Sequence, residues 1–293
     1  EPMMRSKYLQ SRIEDTFREA EGDLQAGKEV LYVGTPCQIS ALKLFLRREY
    51  DNLIAVDLVC HGVPSPGVWR MYLRQELDRV ARQRSNGAFP EVSSISFREK
   101  ARSGYDWQRF GFVIWEKFSS GGKNDTVLSS SQFSMNPFMK GFLANIYLRP
   151  SCYACPAKGG TSRADITIGD YWGIRNVLPD FCDGSGVGLA IVHTGKGLEY
   201  LQNCGLDERE TTVGEALQGN SAYRSSVARP GCREAFFREF AQGKMVASLV
   251  SCYTRVPFSG RLLRSVKSRL IRTAKAILPQ RVVAFVKKDF RKI

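Results

Sequence analysis

Apolar positions in the first part of the chain alternate between helical spacing and short continuous runs. Apolar residues recur at helical spacing over 13–24, and the apolar run at 30–34 that follows predicts a buried strand. Pro36 then suits the first turn of a second helix, because its fixed φ is compatible with a helix start. A second apolar run covers 53–59, and Pro66 begins another helix. Strands that alternate with helices in this way predict a parallel sheet built from βαβ units.

The middle of the chain has a different pattern. Positions 92–97 and 110–115 alternate or run apolar between connectors rich in Gly and Ser, which predicts an antiparallel insertion. The patterns beyond it predict a helix at 136–148, strands at 165–169 and 188–193, a helix at 195–202, and short helices up to Tyr253. The expected fold class is therefore α/β, with a parallel-sheet βαβ core, an antiparallel insertion and a helical C-terminal region.

The positive charge of the chain is concentrated at its C-terminal end. The 293 residues include 43 Lys and Arg against 29 Asp and Glu, which gives a net charge of +14. Residues 254–293 contain twelve of the basic residues and one acid, Asp289, so residues 1–253 are nearly neutral. We therefore expect a folded domain over 1–253 and a basic tail over 254–293 that has a partner of its own.

The basic tail has the pattern of an amphipathic helix. On a helical wheel over 261–278, apolar residues fall on one side and Arg261, Arg264, Arg272 and Lys275 on the other. One interpretation is a helix docked on the folded domain with a solvated basic face. The other is peripheral attachment to the anionic inner face of a membrane, which basic residues and an apolar stripe both favour. Nucleic acid is a weaker alternative, because the tail lacks interleaved aromatic residues for base stacking.

Secretion and a membrane span are not indicated. The sequence has no apolar run of the ~18 residues that a span needs, and it does not open with a signal peptide. A cytoplasmic location is therefore expected. The eight cysteines are then better suited to metal binding or catalysis than to disulfides, because cytosolic thiols stay reduced. The start at Glu1, without an initiator methionine, leads us to expect that upstream residues are missing.

Four of the cysteines stand where metal ligands are expected. Cys37 and Cys60 each follow a predicted parallel strand, and ligands bind at the carboxyl ends of such strands. Cys152 and Cys155 are two residues apart, a spacing that lets one loop present both sulfurs to one metal or cluster. The alternatives are that Cys37 and Cys60 are small buried apolar residues and that the CxxC is a zinc or redox turn. The remaining cysteines have no such setting: Cys182, Cys204, Cys232 and Cys252.

Glycines accompany both strand-end cysteines. Gly34 and Gly62 allow close approach of the backbone to a bulky group, and a loop that begins a helix offers amide donors to phosphate. The dinucleotide fingerprint GxGxxG is absent, so a flavin would have to bind in another way. His61, next to Cys60, is a candidate proton donor near neutral pH. The alternative is a hydrogen-bonded loop residue, and His193 on an apolar strand is expected to be structural.

Four motifs in this order resemble those of one known family. They are Gly34-Thr-Pro-Cys-Gln-Ile39, Cys60-His-Gly-Val-Pro-Ser65, Cys152-x-x-Cys155 and Asp165-Ile-Thr-Ile-Gly-Asp-Tyr-Trp-Gly173. Together they are similar to the beta subunits of coenzyme F420 hydrogenase/dehydrogenase. The resemblance implies an oxidoreductase, an iron–sulfur flavoprotein with one [4Fe-4S] cluster and a non-covalent FAD. It also implies a ferredoxin or ferredoxin-like donor, a small organic acceptor such as a deazaflavin, and a chain that lacks the family's N-terminal glycine-rich segment.

The same resemblance implies roles for single residues. The cluster ligands would be Cys37, Cys60, Cys152 and Cys155. The candidate catalytic groups beside the flavin are Lys7 and His61. Cofactor contacts are expected from Gly34, Thr35, Gln38, Gly62, Asp165 and Asp170. The alternative function is a non-catalytic binding protein, in which the cysteines hold a structural zinc and the basic tail recruits a partner.

Overall fold

Two units make up the chain, residues 1–250 and residues 251–293. The computed structural model describes residues 8–85, 87–100, 107, 109–117, 126–182 and 185–255. The predicted amphipathic helix of the basic tail lies outside the described residues. In the part of the chain that the structure describes, no helix is both long and apolar enough to cross a membrane.

The N-terminal part forms two consecutive βα units. Its elements are α1 (Thr16–Gln25), β1 (Val30–Val33), α2 (Pro36–Leu46), β2 (Leu53–Leu58) and α3 (Pro66–Gln83). β1 and β2 are parallel, with Val30 opposite Leu53. Leu24 of α1 and Leu42 of α2 belong to the same buried cluster as Leu53. The strand and helix order predicted for this part is confirmed.

An antiparallel insertion follows α3. Its strands are β3 (Val92–Glu99), β4 (Gly111–Glu116) and β5 (Thr126–Gln132), paired in the order β3-β4-β5. The sequence predicts the first two strands but not β5, because the serines at 129–131 hide the apolar signal of a strand. Phe97 and Phe112 of the insertion pack against Trp69 and Tyr72 of α3 in an aromatic core.

The helix predicted over 136–148 is too long. In the structure it is α4 (Pro137–Leu143). Beyond it the chain reverses at Asn145, which has a φ of +60°. Tyr147 then packs back over Gly141, where a Cβ would lie 2.5 Å from the Tyr147 ring. The helix therefore ends early because this tyrosine folds onto it.

A four-stranded mixed sheet is the centre of the first unit. β6 (Ile166–Asp170) and β7 (Gly188–Val192) join β1 and β2 in the order β1-β2-β6-β7. β6 is parallel to β2, with Val56 opposite Ile166, and β7 is antiparallel to β6. The predicted parallel core is confirmed for β1, β2 and β6. The fourth strand of the sheet, β7, is antiparallel.

Short helices follow β7. They are α5 (Gly195–Gln202), α6 (Val213–Ala216), α7 (Arg233–Ala241) and α8 (Val246–Tyr253). Phe236 of α7 is fully buried and its ring centroid lies 5.4 Å from that of Tyr147. These helices confirm the predicted helical C-terminal region, and α7 packs on the segment that follows α4.

One face of the mixed sheet is partly exposed. Leu31 and Val33 of β1 are 48% and 38% exposed, and Ile168 of β6 is 42% exposed. The apolar run at 30–34 predicts a buried strand, but β1 is covered on one face only, where Tyr32 packs against the core. An exposed apolar face of this kind favours contact with an apolar ligand or surface.

Asp165, directly before β6, ties several parts of the sheet together. It is 2% exposed, and its Oδ2 accepts a hydrogen bond from the Ala55 amide of β2 at 2.8 Å. Its Oδ1 accepts from the Thr194 hydroxyl at 2.8 Å, and Lys196 Nζ lies 4.0 Å away. Thr194 is the N-cap of α5. The carboxylate therefore links β2, β6 and the start of α5.

Asp165→Ala is expected to lower the free energy of unfolding by about 1–3 kcal/mol, because it leaves the buried Ala55 amide without an acceptor. Urea-induced unfolding of the full chain measures this change. The control is Asp207→Ala, whose side chain is 75% exposed, and its effect should stay within about 0.5 kcal/mol. Equal stability of the two variants would contradict the structural role of Asp165.

Candidate functional site

Three loops bring the four predicted ligand cysteines into one region. Cys37 lies in the first turn of α2, directly after β1, and Cys60 follows β2. Cys152 lies on a 3-10 turn and Cys155 directly follows it. Cys37 and Cys152 lie close enough to Cys60 that a thiolate at either would raise the pKa of Cys60, and Cys37 and Cys155 stand in the same relation to Cys152. The structure thus brings together the cysteines that the sequence analysis singled out.

Cysteine thiolates can hold either a single zinc ion or an iron–sulfur cluster. No three His, Cys, Asp or Glu side chains among the described residues are placed to hold one metal ion. Four thiolates around one zinc ion would have to lie roughly 3.8 Å apart, given its Zn–S distance. In a [4Fe-4S] cluster the iron–sulfide cube stands between the ligands and keeps them farther apart. Four free cysteines from three loops fit the number and type of ligands of such a cluster.

Burial favours the protonated form of two of these thiols. It raises the pKa of Cys60 to about 11, although the nearby Lys158 ammonium acts in the opposite direction. Burial also raises the pKa of Cys152, against the effect of the Val63 amide. That amide donates to the Cys152 Sγ at 3.4 Å. A metal that binds here must displace the thiol protons, so binding releases protons to solvent.

Polar side chains surround the Cys37 sulfur. Thr35 Oγ1 lies 3.2 Å from it, and Gln10 Nε2 donates to it over 3.7 Å. Thr35 is also the N-cap of α2, and it shares a capping box with Gln38. Hydrogen bonds of this kind orient a ligating sulfur and tune the metal it holds.

A close backbone approach holds the Cys60 and Cys152 loops together. Gly62 has a φ of +143°, and a Cβ there would lie 2.8 Å from Leu148 Cδ1 and 3.4 Å from Cys152 Cβ. Pro64 and Leu148 form an isolated antiparallel bridge. On either side of it, the Ser65 amide donates to the Tyr147 carbonyl at 2.7 Å and the Arg149 amide to the Val63 carbonyl at 2.8 Å. A residue larger than glycine at position 62 would push these loops apart.

Lys158 and Ser226 anchor the cysteine loops, and sequence reasoning missed both. Lys158 Nζ donates to the Cys60 carbonyl and, at 2.7 Å, to the Ala222 carbonyl. The Cys155 amide donates to Ser226 Oγ at 2.9 Å. In the sequence, the only indication of this role for Lys158 is its place in the CxxC loop. Nothing in the sequence indicates it for Ser226. The segment 222–226 thus fixes the loops from the C-terminal side.

A large cleft lies beside the cysteines. Its volume is about 1810 Å³, well above the ~300–1,000 Å³ of pockets for drug-sized ligands. The exposed face of the sheet lines it through Val33, Leu58 and Ile168, and β7 adds Ala190 and Val192. The residues on both sides of Cys60 in the sequence, Val59 and His61, also line the cleft. The candidate metal centre and the cleft are therefore neighbours.

His61 lies between the cysteine loops and the cleft. Its Nε2 is 2.7 Å from Asn145 Oδ1, and its ring centroid is 4.9 Å from that of Phe142. Burial lowers the pKa of His61, which favours the neutral ring near neutral pH, although the hydrogen bond to Asn145 acts in the opposite direction. These contacts fit a hydrogen-bonded loop residue, and the role of His61 as a proton donor stays a prediction. Lys7 lies outside the described residues.

Of the residues predicted to contact a cofactor, one lines the cleft and the other five do not. Asp170 lines the cleft. The side chains of Thr35 and Gln38 hydrogen-bond each other, and Gln38 also reaches Ser11. In the described part of the chain, the lining of the cleft does not include Gly34, Thr35, Gln38, Gly62 or Asp165. Their cofactor contacts therefore stay predictions, and the interactions observed for Thr35, Gln38 and Asp165 are structural.

Asp170 is held by a residue of the insertion. Arg98 of β3 forms an ion pair with it through Nη1 and Oδ2. The Asp170 carbonyl accepts a hydrogen bond from Asn220 Nδ2 at 3.1 Å. Arg98 is 7% exposed and also lines the cleft. The sequence gives no signal for this pair, because 72 positions separate its members.

Comparison with known protein families gives a match over most of the folded region. A family model that describes the C-terminal part of the coenzyme F420 hydrogenase/dehydrogenase beta subunit matches residues 27–215. This segment covers more than half of the chain and includes every strand of the described residues and all four predicted ligand cysteines. Neither the comparison with curated proteins nor the comparison with solved structures gives a match.

Gly62→Ala is expected to destabilise the protein more than Gly159→Ala, by about 1–3 kcal/mol of unfolding free energy. Both glycines have a positive φ, +143° and +65°, but a Cβ at Gly159 meets no atom within 4 Å. The clash with Leu148 should therefore account for much of the difference. Urea-induced unfolding measures it, and equal losses in the two variants would show that the close approach at Gly62 is unimportant.

Proposed function

Because the chain belongs to the coenzyme F420 hydrogenase/dehydrogenase beta-subunit family, we propose that it is the electron-transferring module of an oxidoreductase complex. Four cysteines hold a [4Fe-4S] cluster, and the cleft beside them holds FAD. A ferredoxin or ferredoxin-like partner supplies or accepts the electrons. The organic partner is a small molecule such as the deazaflavin coenzyme F420.

The observation that carries this proposal is the position of the cysteines beside the cleft. Val59 and His61 line the cleft, and Cys60 lies between them in the chain. An electron can therefore pass over a short path from a group at the cysteines to a group in the cleft. The cluster would supply single-electron transfer and the flavin the conversion to hydride transfer.

The residues of the chain have separate tasks in this proposal. Cys37, Cys60, Cys152 and Cys155 ligate the cluster. Lys158 holds the Cys60 loop through its carbonyl, and its positive charge offsets part of the negative charge of four thiolates. Tyr8 lines the cleft, and its ring packs on Phe97, Phe133 and Phe142, so an aromatic cluster supports this part of the lining. Burial raises the pKa of Tyr8 to about 12, so its hydroxyl keeps its proton.

The apolar sheet face supports the cofactor site. Leu58 and Ile168 present aliphatic side chains to the cleft, the type of surface on which a flat ring system packs. The volume of about 1810 Å³ leaves room for a flavin and for a second molecule that exchanges a hydride with it. His61 is placed at the end of the cleft nearest Cys60, where we propose that it assists proton transfer.

The second candidate is a non-catalytic protein with a structural zinc at the same cysteines. It has less support, because the family model that matches the chain describes a subunit of redox enzymes. An absorption spectrum of protein purified without oxygen separates the two candidates. Flavin bands and a broad iron–sulfur absorption are expected for the oxidoreductase, and a colourless protein with bound zinc for the alternative.

Replacement of Cys37, Cys60, Cys152 or Cys155 by Ser is expected to remove most of the iron and acid-labile sulfide, because each variant takes away one ligand. Metal and sulfide analysis of anaerobically purified protein measures the loss. The controls are Cys204→Ser and Cys252→Ser, both at exposed thiols, which should leave the iron unchanged. A normal iron content in Cys60→Ser would contradict the proposed ligand set.

The basic tail suggests the cellular location of the protein, and this part of the proposal rests on the sequence alone. Residues 254–293 carry +11 of the net charge of +14 and have an amphipathic pattern. We propose a cytoplasmic protein that attaches to the anionic inner face of a membrane.

Co-sedimentation with anionic and with neutral vesicles tests the attachment. The full chain should bind anionic vesicles at physiological salt, because both its basic residues and its apolar stripe favour this surface. A chain that ends at Tyr253 should stay in the supernatant. If the full chain ignores anionic vesicles, the attachment is wrong and a helix docked on the folded domain is the better interpretation.

A further inference from the structure

Arg98 reaches the cleft from the antiparallel insertion. Its side chain is 7% exposed and lies beside Asp170 and Trp172 in the cleft lining. Its Nη1 donates to Asp170 Oδ2. The Arg98 Cζ lies 4.4 Å from the centroid of the Phe110 ring and 5.6 Å from that of the Trp172 ring. Aromatic packing and one ion pair thus fix the position of the guanidinium group.

Two nitrogens of this guanidinium group have no hydrogen-bond partner. Arg98 Nε and Nη2 are the only buried side-chain nitrogen or oxygen atoms of the described residues that lack a hydrogen-bond partner. These two nitrogens form one edge of the planar group, and their N–H bonds point in the same direction. This edge binds carboxylate or phosphate through two parallel hydrogen bonds. A buried charged edge without an acceptor is unfavourable, so an acceptor from outside the chain is expected.

We propose that the Nε–Nη2 edge of Arg98 binds an oxyanion, a phosphate or carboxylate group, of the molecule that occupies the cleft. The inference rests on the proposed function, in which the cleft is the cofactor and substrate site. Two sources offer the same chemistry, a phosphate of the flavin and an acid group of the organic acceptor. Asp170 is a positioning residue, because it holds Nη1 and with it the plane of the fork.

Among the described residues that line the cleft, Arg98 is the buried cation. Acidic side chains also line the cleft. Besides Asp170, which pairs with Arg98, they are Asp180 and, on one segment, Asp207, Glu208 and Glu210, and these four are exposed and screened by solvent. Arg209, on the same segment, is exposed as well and pairs with Asp207 at 2.9 Å. An oxyanion deep in the cleft would therefore meet Arg98 rather than this acidic segment.

The first arm of the test uses riboflavin, FMN and FAD, which carry no, one and two phosphate groups. Each is titrated into the full chain, and quenching of flavin fluorescence reports binding. If the flavin phosphate is the source, FMN and FAD bind at least ~10-fold more tightly than riboflavin, and Arg98→Lys removes this advantage. Riboflavin affinity should not change, because lysine keeps the positive charge and loses only the fork.

The second arm uses inorganic phosphate and glutarate as probes. They are titrated by calorimetry into the FAD-loaded protein, so the flavin phosphates already occupy their own site. If the organic acceptor supplies the oxyanion, the wild-type protein binds one of these probes and Arg98→Lys weakens that binding by ~10-fold or more. The affinities for riboflavin, FMN and FAD are then the same in the wild-type protein and in Arg98→Lys.

The matched control is Arg84→Lys. Arg84 is a partly buried arginine paired with Glu116 at 2.5 Å, and the described lining of the cleft does not include it. The Arg84→Lys substitution should change neither the flavin affinities nor the probe affinities. Arg98→Gln is a second variant that keeps a donor for Asp170, and circular dichroism verifies that each variant is folded.

A loss in either arm that is specific to the Arg98 variants supports the proposal. Unchanged affinities for the flavins, phosphate and glutarate in both Arg98 variants overturn it and leave water as the partner of the free edge. If the wild-type protein binds no flavin, the proposed cofactor is wrong, and the probes are titrated into the flavin-free protein instead. Arg98-dependent binding of a probe then supports the proposal, and absence of binding overturns it.

Discussion

The short antiparallel pairing of the Pro64 and Leu148 segments is the constraint on which the candidate site depends. It joins the loop that ends β2 to the segment that leads into the CxxC, so Cys60 and Cys152 become neighbours although 92 positions separate them in the chain. Gly62 makes the pairing possible, because a Cβ there would lie 2.8 Å from Leu148 Cδ1. Lys158 then fixes the Cys60 carbonyl from a third direction. The parallel pairing of β1 with β2 brings Cys37 to the same end of the sheet.

The sheet provides the second half of the site by leaving a face partly exposed. Val33, Leu58 and Ile168 would be core residues if a helix layer covered them, and here they line the cleft. The antiparallel insertion contributes Arg98 to this cleft, and its ion pair with Asp170 connects the insertion to the end of β6. The insertion is thus part of the site and not only an addition to the fold. This arrangement places the buried Arg98 guanidinium and its partner Asp170 in the same cleft as the apolar sheet face.

Individual strands and helices show which elements the hydrophobic pattern predicts and which it misses. The strand at 53–59 is predicted because a nearly continuous apolar run is typical of a buried strand in a parallel core. β5 is missed because its serines give little apolar contrast. The helix over 136–148 is too long because the apolar residues after Leu143 belong to a reversed segment, in which Tyr147 packs on Gly141. Apolar spacing records burial, and burial alone does not distinguish a continuing helix from a chain that folds back on it.

The sequence by itself determined the fold class, the family resemblance and the four cysteines, because strand-end loops and the CxxC spacing are local features. Only the tertiary structure decided what surrounds them. It shows Asp165 as a buried acceptor for the Ala55 amide, Lys158 as an anchor of the Cys60 loop and Arg98 as the partner of Asp170. Each of these pairs joins residues far apart in the chain, and a hydrogen bond between distant segments leaves no periodic pattern in the sequence. Its partners are known only when packing has fixed the distance between the segments.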